Sequence, residues 1–190
     1  MHSLTIIVTY YNSEEYIQSC IESIKQQRTQ DFEVIIVNDG STDQTEALMK
    51  ESLKDYDKKV NYIKLEENQG HAHARNVAMK EVETPYFMFL DADDELASYA
   101  ITFYLDKFNY TDGLIAPVHS FMLKKPQYVD LDKVKVNYFD GKRNINSFLR
   151  KQTACNIIFR TAIVRAHDLK FNEDLNVYTC LLYTSPSPRD

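Results

Sequence analysis

Short apolar runs alternate with longer segments of helical periodicity through the first half of the chain. The apolar runs are rich in β-branched and aromatic residues, as buried strands are, and occupy residues 4–8, 32–37, 60–65 and 86–90. Between them, apolar residues recur at intervals of three and four, which predicts helices over residues 13–27, 42–56 and 71–80. This alternation predicts an α/β fold with a mostly parallel, Rossmann-like central sheet and helices on both faces.

The pattern is weaker in the second half of the chain. We expect helices over residues 99–108, 146–150 and 161–167, and strands over residues 113–119 and 154–159. Residues 124–143 have no clear period, which indicates a loop or an irregular hairpin. Residues 181–190 contain two prolines among Ser and Thr, a composition that predicts neither strand nor helix and is typical of a disordered or foreign tail.

Polar residues follow each of the first four predicted strands at its carboxyl end. They are Thr9, Tyr11 and Asn12 after the first run, Asn38 and Asp39 after the second, Asn68 after the third, and Asp91, Asp93 and Asp94 after the fourth. The carboxyl ends of parallel strands lie along one edge of a sheet, where open α/β sheets bind their ligands. We therefore expect these side chains to form one site.

The acidic stretch after the fourth strand suits a divalent cation. Asp91 and Asp93 project from the same side of an extended chain, whereas Asp94 is expected to point elsewhere. Mg²⁺ and Mn²⁺ prefer hard oxygen ligands and commonly bind carboxylates together with substrate phosphates. The alternative is an acidic loop that only caps the next helix. The position of the motif after a buried strand favours the cation site.

Two other residues have both a functional and a structural interpretation. Asp39 precedes Gly40 and is either a turn residue or an acceptor for a base edge or a ribose. Arg75 lies near the start of a predicted helix, where a cation is poorly placed in the helix dipole and is suited to a phosphate or a pyrimidine carbonyl. The alternative for Arg75 is a solvated ion pair with Glu66 or Glu67.

The composition narrows the classes of partner. With 22 basic and 28 acidic residues the net charge is −6, and no long basic run is present, so we expect no nucleic-acid partner. Three widely spaced cysteines predict reduced thiols in a cytoplasmic setting rather than a disulfide framework or a zinc site. The sequence has no signal-peptide pattern and no apolar run near the roughly 20 residues of a spanning helix. A cytoplasmic protein is expected, and peripheral association with the inner face of the membrane is compatible with it.

Four ordered motifs resemble those of the GT-A glycosyltransferases of family two. They read Ile-Ile-Val-Thr-Tyr-Tyr-Asn-Ser at 6–13, Val-Ile-Ile-Val-Asn-Asp-Gly-Ser-Thr-Asp at 34–43, Glu-Asn-Gln-Gly-His-Ala-His-Ala-Arg-Asn at 67–76, and Phe-Leu-Asp-Ala-Asp-Asp at 89–94. The resemblance is strong over residues 4–96 and weak from there to residue 178. It implies a GT-A domain over residues 1–180, with a nucleotide-sugar-binding half (1–97) and a partial acceptor half (98–180), followed by the tail.

The resemblance also implies roles for individual residues. Thr9, Tyr11 and Asp39 would line the nucleobase pocket. Asn68 and Arg75 would help to hold the uridine and the phosphates. Asp91 would lie near the ribose, and Asp93 would be the ligand of the Mn²⁺ or Mg²⁺ ion. Many members have Pro-Thr-Tyr-Asn where this chain has Thr-Tyr-Tyr-Asn at residues 9–12, so the motif at this strand end departs from the usual pattern and the stacking there is not assigned.

Inverting members of this family use an acidic general base downstream, after a Phe-Xaa-Glu-like segment. Phe171, Asn172 and Glu173 resemble that segment, but the expected Asp is missing and Cys180 stands near its place. Glu173 and Asp174 are weak substitutes because they precede that place by about two helical turns, roughly 10 Å. The catalytic base is therefore not assigned from the sequence.

The implied activity is the metal-dependent transfer, with inversion, of a sugar from a UDP-sugar to a hydroxyl of a polysaccharide or polyol-phosphate acceptor. Residues 139–165 resemble bacterial enzymes that decorate cell-wall polymers such as teichoic acid. One alternative is a catalytically incomplete module that binds a nucleotide sugar. A second is a nucleotidyltransferase, which would normally have a Gly-rich phosphate loop after the first strand; none of the four glycines precedes Gly40.

Overall fold

A computed structural model describes residues 3–108, 114–117, 136–139, 158–174 and 181–182. Side chains are described for residues 3–106 and 158–174. The predicted helix at 146–150 and the tail from residue 183 lie outside the described residues. The division into a 1–97 half and a 98–180 half remains a prediction.

Within the described residues, the central sheet has seven strands in the order β3-β2-β1-β4-β7-β5-β6. The strands are β1 (Leu4–Tyr10), β2 (Phe32–Asn38), β3 (Val60–Lys64), β4 (Tyr86–Asp91), β5 (Leu114–Pro117), β6 (Val136–Phe139) and β7 (Ile158–Arg160). The first four pair in parallel, and β7, β5 and β6 extend the sheet with antiparallel pairings. The prediction of a mostly parallel α/β sheet is confirmed.

Helices cover both faces of this sheet, as predicted. They are α1 (Ile17–Lys25), α2 (Thr45–Ser52), α3 (His71–Lys80), α4 (Ala100–Phe108) and α5 (Thr161–Ala166). Alternate residues of each strand point to opposite faces, so Ile6 packs in the cluster that contains α1, α2 and α4, and Ile7 packs in the cluster that contains α3 and α5. Strands β1, β2 and β4 are thus largely buried on both sides, which explains their continuous apolar runs, whereas β3 at the edge of the sheet is only partly buried.

Two helices begin later than predicted because neighbouring polar groups bind the intervening backbone. The Ser13 carbonyl accepts hydrogen bonds from the Tyr16 and Ile17 amides in a turn, and α1 begins only at Ile17. At the start of α2, the Asp43 carboxylate accepts from the Thr45 amide and hydroxyl at 3.0 and 2.6 Å. Asp43 therefore binds the first turn of α2, which begins at Thr45 and not at residue 42.

Two weakly patterned segments contain strands that the sequence did not predict. Strand β6 lies inside the 124–143 segment and pairs with β5. The prediction that the segment from Leu181 forms no strand is wrong for Leu181 and Leu182, which form β9 and pair with β8 (Lys170–Phe171). Neither segment has a clear apolar period, so only the pairing partner identifies these strands. Within the described residues, no helix is both long and apolar enough to cross a membrane.

Candidate functional site

The carboxyl ends of β2, β1 and β4 lie side by side and form one rim of the sheet. In the strand register, Thr9 is paired with Asp91 and Tyr10 with Asn38. The Asp39 amide donates to the Tyr10 carbonyl at 2.9 Å, which continues the pairing one residue beyond β2. The rim thus brings together residues that are up to 82 positions apart in the sequence, as the alternation of strands and helices predicted.

Asp39 holds the loop that leads into α3. Its side chain is 3% exposed, and its two carboxylate oxygens accept hydrogen bonds from the Gln69 and Gly70 amides, each at 2.9 Å. Asn68 also binds this loop, with its side-chain oxygen accepting from the Gly70 amide at 3.0 Å. Asp39 thus has a structural role, but its carboxylate anchors the loop before α3, about 30 residues away. Each Asp39 oxygen keeps a second lone pair, which can accept a hydrogen bond from a ligand.

Gly40 is required by the close approach of the same loop. It has a φ of +68°, and a Cβ at this position would lie 2.4 Å from the Glu67 carbonyl carbon. Gly40→Ala should therefore destabilise the fold by about 1–3 kcal/mol, through backbone strain and displacement of the loop. Urea denaturation would measure this loss. A loss below about 0.5 kcal/mol would contradict the role of the close approach.

Arg75 is buried on the α3 side of the sheet and is bound to the rim. It is 4% exposed, and its Nη2 donates to Asp91 Oδ1 at 2.6 Å. Its guanidinium also lies over the rings of Phe89 and Phe171, 5.3 and 5.5 Å from their centroids. The alternative of a solvated ion pair with Glu66 or Glu67 is therefore wrong, because Arg75 is not in solvent. The sequence could not reveal this partner, since Asp91 lies on another element.

Three carboxylates meet directly after β4. One oxygen from each of Asp91, Asp93 and Asp94 lies within 4.8 Å of the others. The expectation that Asp94 points elsewhere is wrong, because the chain turns after Asp91 and the Asp94 amide donates to the Asp91 carbonyl at 3.0 Å. In a turn, the alternation of side chains along an extended strand no longer applies. Partial burial, together with the charges of Asp93 and Asp91, raises the pKa of Asp94.

The remaining predicted site residues differ in their exposure. Tyr11 is exposed at 40% on the loop after β1, and Asn68 and Asp93 are exposed as well. Thr9 is buried next to Asp91 in the sheet. The exposed side chains are therefore available to a bound molecule, whereas Thr9 and Asp39 are buried beneath them.

A polar network behind β2 was missed in the sequence. Asn38 Nδ2 donates to the Tyr62 hydroxyl at 3.2 Å, and its Oδ1 accepts from the Ser41 amide at 2.8 Å. Glu46 binds Lys50 and Lys64, each at 2.6 Å, and these two ammonium groups lower the pKa of Glu46 to about 2. The network fixes the end of β2 from which Asp39 projects. Lys50 and Glu46 are spaced i,i+4 on a helix, the one signal that could have indicated part of it.

Cys20 lies behind the acidic stretch as a free, buried thiol. Its Sγ is 3.8 Å from the Asp91 carbonyl oxygen, to which it donates. Burial raises the pKa of this thiol, and the nearby carboxylates, Asp94 foremost, act in the same direction. Cys20 is therefore protonated at neutral pH and packs against the base of the acidic stretch as an inert side chain.

The sequence of residues 5–168 matches the protein family described as glycosyl transferase family 2. The chain is 75% identical over 178 residues to the teichoic acid poly(glycerol phosphate) polymerase of Staphylococcus epidermidis, an alignment that covers 94% of this chain and 25% of that protein. It is 29% identical over 204 residues to the poly(ribitol-phosphate) beta-N-acetylglucosaminyltransferase TarS of Staphylococcus aureus, covering 97% of this chain and 32% of that protein. The chain thus spans a quarter to a third of the length of these relatives.

Two solved structures have the same fold. TarS 1–349 in complex with UDP superposes with a TM-score of 0.70 at 24% identity, over 92% of this chain and 52% of that one. The mannosyltransferase PcManGT from Pyrobaculum calidifontis, in complex with GDP-Man and Mn²⁺, superposes with a TM-score of 0.66 at 18% identity, over 93% of this chain and 49% of that one. These likenesses confirm the predicted GT-A fold. The match over residues 5–168, which is most of the chain, shows that the chain belongs to glycosyl transferase family 2.

Proposed function

We propose that this chain is the nucleotide-sugar-binding part of a glycosyltransferase that transfers a sugar, with inversion, from a UDP-sugar to a hydroxyl of a cell-wall polymer such as teichoic acid. The observation that carries the proposal is the group of three carboxylates at the end of β4, next to Thr9 and on the same rim as Asp39. A nucleoside diphosphate needs a base pocket and a partner for its phosphates, and this rim offers candidates for both.

The nucleoside would occupy the rim between the ends of β1 and β2. Tyr11 is exposed there and offers a ring face for the base, while Asp39 offers a buried, fixed acceptor for a base edge. Asn68 is exposed on the loop that Asp39 anchors and is placed to contact the uridine or the phosphates. Because Asp39 is held by two backbone amides, it would meet the ligand without reorganisation.

The carboxylates fit a divalent cation by their chemistry and spacing. Their oxygens lie within 4.8 Å of one another, and opposing ligands of a bound Mg²⁺ are about 4.2 Å apart. Asp93 is exposed and would be the main ligand, while Arg75 binds one oxygen of Asp91 and leaves the other for the ribose or the cation. Mn²⁺ or Mg²⁺ bound there would stabilise the negative charge on the departing nucleoside diphosphate.

A general base for the acceptor hydroxyl is not assigned to any described residue. Glu173 is a poor candidate because both of its oxygens are engaged, one by Asn76 Nδ2 at 2.7 Å and the other by His73 Nδ1 at 3.0 Å. These two contacts lower the pKa of Glu173, whereas a base that works near neutral pH needs a pKa closer to 7. We expect this chain to bind UDP with a divalent cation and to transfer sugar slowly or not at all.

The names of the relatives support a polyol-phosphate acceptor. One relative is named for a poly(glycerol phosphate) polymer and another for a poly(ribitol-phosphate) polymer. The second of these relatives is named as an N-acetylglucosaminyltransferase, which makes UDP-N-acetylglucosamine a donor sugar to test. The nucleotidyltransferase alternative would require activated-sugar formation from a nucleoside triphosphate, so release of pyrophosphate by this chain would favour it.

A panel of nucleotide sugars tests the donor and the cation together. Thermal unfolding is measured with UDP-GlcNAc, UDP-Glc, GDP-mannose and a CDP-sugar, each with and without Mn²⁺. A ligand at 100 times its Kd stabilises the protein by about 2.7 kcal/mol, which raises the Tm by about 5–10 °C for a chain of this size. We expect that rise only with the UDP-sugars and only with Mn²⁺. A rise with GDP- or CDP-sugars alone would overturn the choice of UDP, and no rise at all would overturn the proposed function.

A further inference from the structure

Asn76 joins α3 to the segment around β8 through all of its amide groups. Its Nδ2 donates to the Phe171 carbonyl at 2.9 Å and to Glu173 Oε1 at 2.7 Å, and its Oδ1 accepts from the Phe171 amide at 2.8 Å. The side chain is buried. Two donors and one acceptor in this arrangement are available only from an amide, so Asp, Ser and Ala cannot replace the residue without losing contacts.

Glu173 completes this attachment from the other side. Its second oxygen contacts His73, which is on the same face of α3 as Asn76. The Glu173 side chain is 47% exposed, so this end of the network lies at the surface. The segment from Phe171 to Glu173 is therefore fixed to α3 in two ways: the Asn76 amide binds the Phe171 backbone, and His73 contacts Glu173.

Phe171 connects this attachment to the rim. Its ring is buried, packs edge-to-face on Phe89 at 5.4 Å, and lies under the Arg75 guanidinium. Arg75 in turn donates to Asp91, one of the three clustered carboxylates. The contacts thus run without a break from Glu173 through Asn76, Phe171 and Arg75 to Asp91.

We propose that Asn76 is a positioning residue: by fixing Phe171 against α3, it holds the Arg75 guanidinium on Asp91 and so orients the carboxylate that faces the nucleotide and the cation. The consequence for ligand binding rests on the proposed function, but the positioning itself does not. Arg75 and Asn76 are consecutive on α3, so one residue contacts the carboxylate directly and its neighbour fixes the ring beneath it. Partners of a ligating carboxylate commonly change metal affinity about 10–100-fold when they are removed.

A double-mutant cycle tests the positioning without any ligand. The urea midpoints of Asn76→Ala, Arg75→Met and the double variant are compared with those of the unchanged chain. If Asn76 acts through Phe171 on Arg75, the midpoint shift of the double variant will be smaller than the sum of the two single shifts. Thr161→Val is the matched control, because Thr161 Oγ1 also makes a buried hydrogen bond, to the Thr84 carbonyl at 2.6 Å. We expect its shift to add to that of Arg75→Met.

Titration with Mn²⁺ alone, followed by electron paramagnetic resonance, tests the consequence at the cluster. Asn76→Ala should weaken Mn²⁺ binding about tenfold, whereas Thr161→Val should leave it unchanged at a similar loss of stability. Glu173→Ala is the second variant should Asn76→Ala not fold, since Glu173 is half exposed, and it should weaken binding in the same direction.

The two measurements separate this inference from the proposed function. Additive midpoints for Asn76→Ala and Arg75→Met, or Mn²⁺ affinity unchanged in both Asn76→Ala and Glu173→Ala, would overturn the positioning role. An unchanged chain that binds neither Mn²⁺ nor UDP would instead overturn the proposed function, and the cycle alone would then decide the role of Asn76.

Discussion

Asp93→Ala is expected to weaken the Mn²⁺-dependent binding of UDP on the order of 100-fold or more, which calorimetry would record as a loss of measurable affinity. Asp93 is the exposed member of the three carboxylates and the one with the most direct access to a ligand. Removing it leaves Asp91, which is already bound to Arg75, and Asp94, which is partly buried. The two remaining groups provide a poorer site for a divalent cation.

The fold should not suffer from this replacement. Three carboxylates within 4.8 Å repel one another, so removing one leaves the free energy of unfolding unchanged or slightly raises it. Asp57→Ala is the matched control: Asp57 is an exposed aspartate that pairs with its neighbour Lys58 at 3.4 Å, and its loss should not change UDP binding. Equal UDP affinity of Asp93→Ala and the unchanged chain would remove Asp93 from the site.

Arg75→Met should destabilise the chain by about 3 kcal/mol, the largest loss of stability that we expect from a single side chain of the site. The replacement leaves Asp91 without its cationic partner and removes the guanidinium from the rings of Phe89 and Phe171. Removing one partner of a buried ion pair typically costs about 3–5 kcal/mol of stability. We expect a loss at the low end of this range because Asp91 is partly exposed and becomes hydrated when Arg75 is removed. Urea denaturation measures the change.

Two further variants separate charge from geometry at this position. Arg75→Lys keeps the charge but not the planar fork, so we expect an intermediate loss. Lys54→Met removes the cation of an exposed pair with Glu51, in which both side chains are more than two-thirds exposed, and should change stability by no more than about 1 kcal/mol. A loss for Arg75→Met as small as that of Lys54→Met would contradict a structural role for the Arg75–Asp91 pair.

The arrangement of strands could be read from the sequence because it depends on local patterns. Runs of β-branched and aromatic residues predicted β1 to β4 to within one or two residues, and alternation with helices predicted their parallel pairing. From that pairing it follows that Thr9, Asp39 and Asp91 share a rim. The strands β6, β8 and β9 were not predicted, because the sequence around them has no clear apolar pattern and each strand is defined by its pairing partner.

Most interactions within the site could not be read from the sequence, because they join elements that are distant along the chain. Arg75 was assigned to a phosphate or to a solvated pair, yet it is buried on Asp91, 16 residues away. Asp94 was expected to point away from Asp91 and Asp93 because the prediction assumed an extended strand through Asp94. The chain turns after Asp91 instead, which brings Asp94 into the cluster. Asn76, bound to Phe171 across 95 residues, gave no signal at all.

The sequence by itself determined the kind of fold, the rim on which polar residues gather, and the family to which the chain belongs. These depend on residue types repeated at short range, which the linear order preserves. The tertiary structure alone decided which groups are paired: Asp39 with the loop before α3, Arg75 with Asp91, and Asn76 with Phe171. Charge and hydrogen-bond partners depend on distance in space and on burial, and neither is encoded in the spacing of residues along the chain.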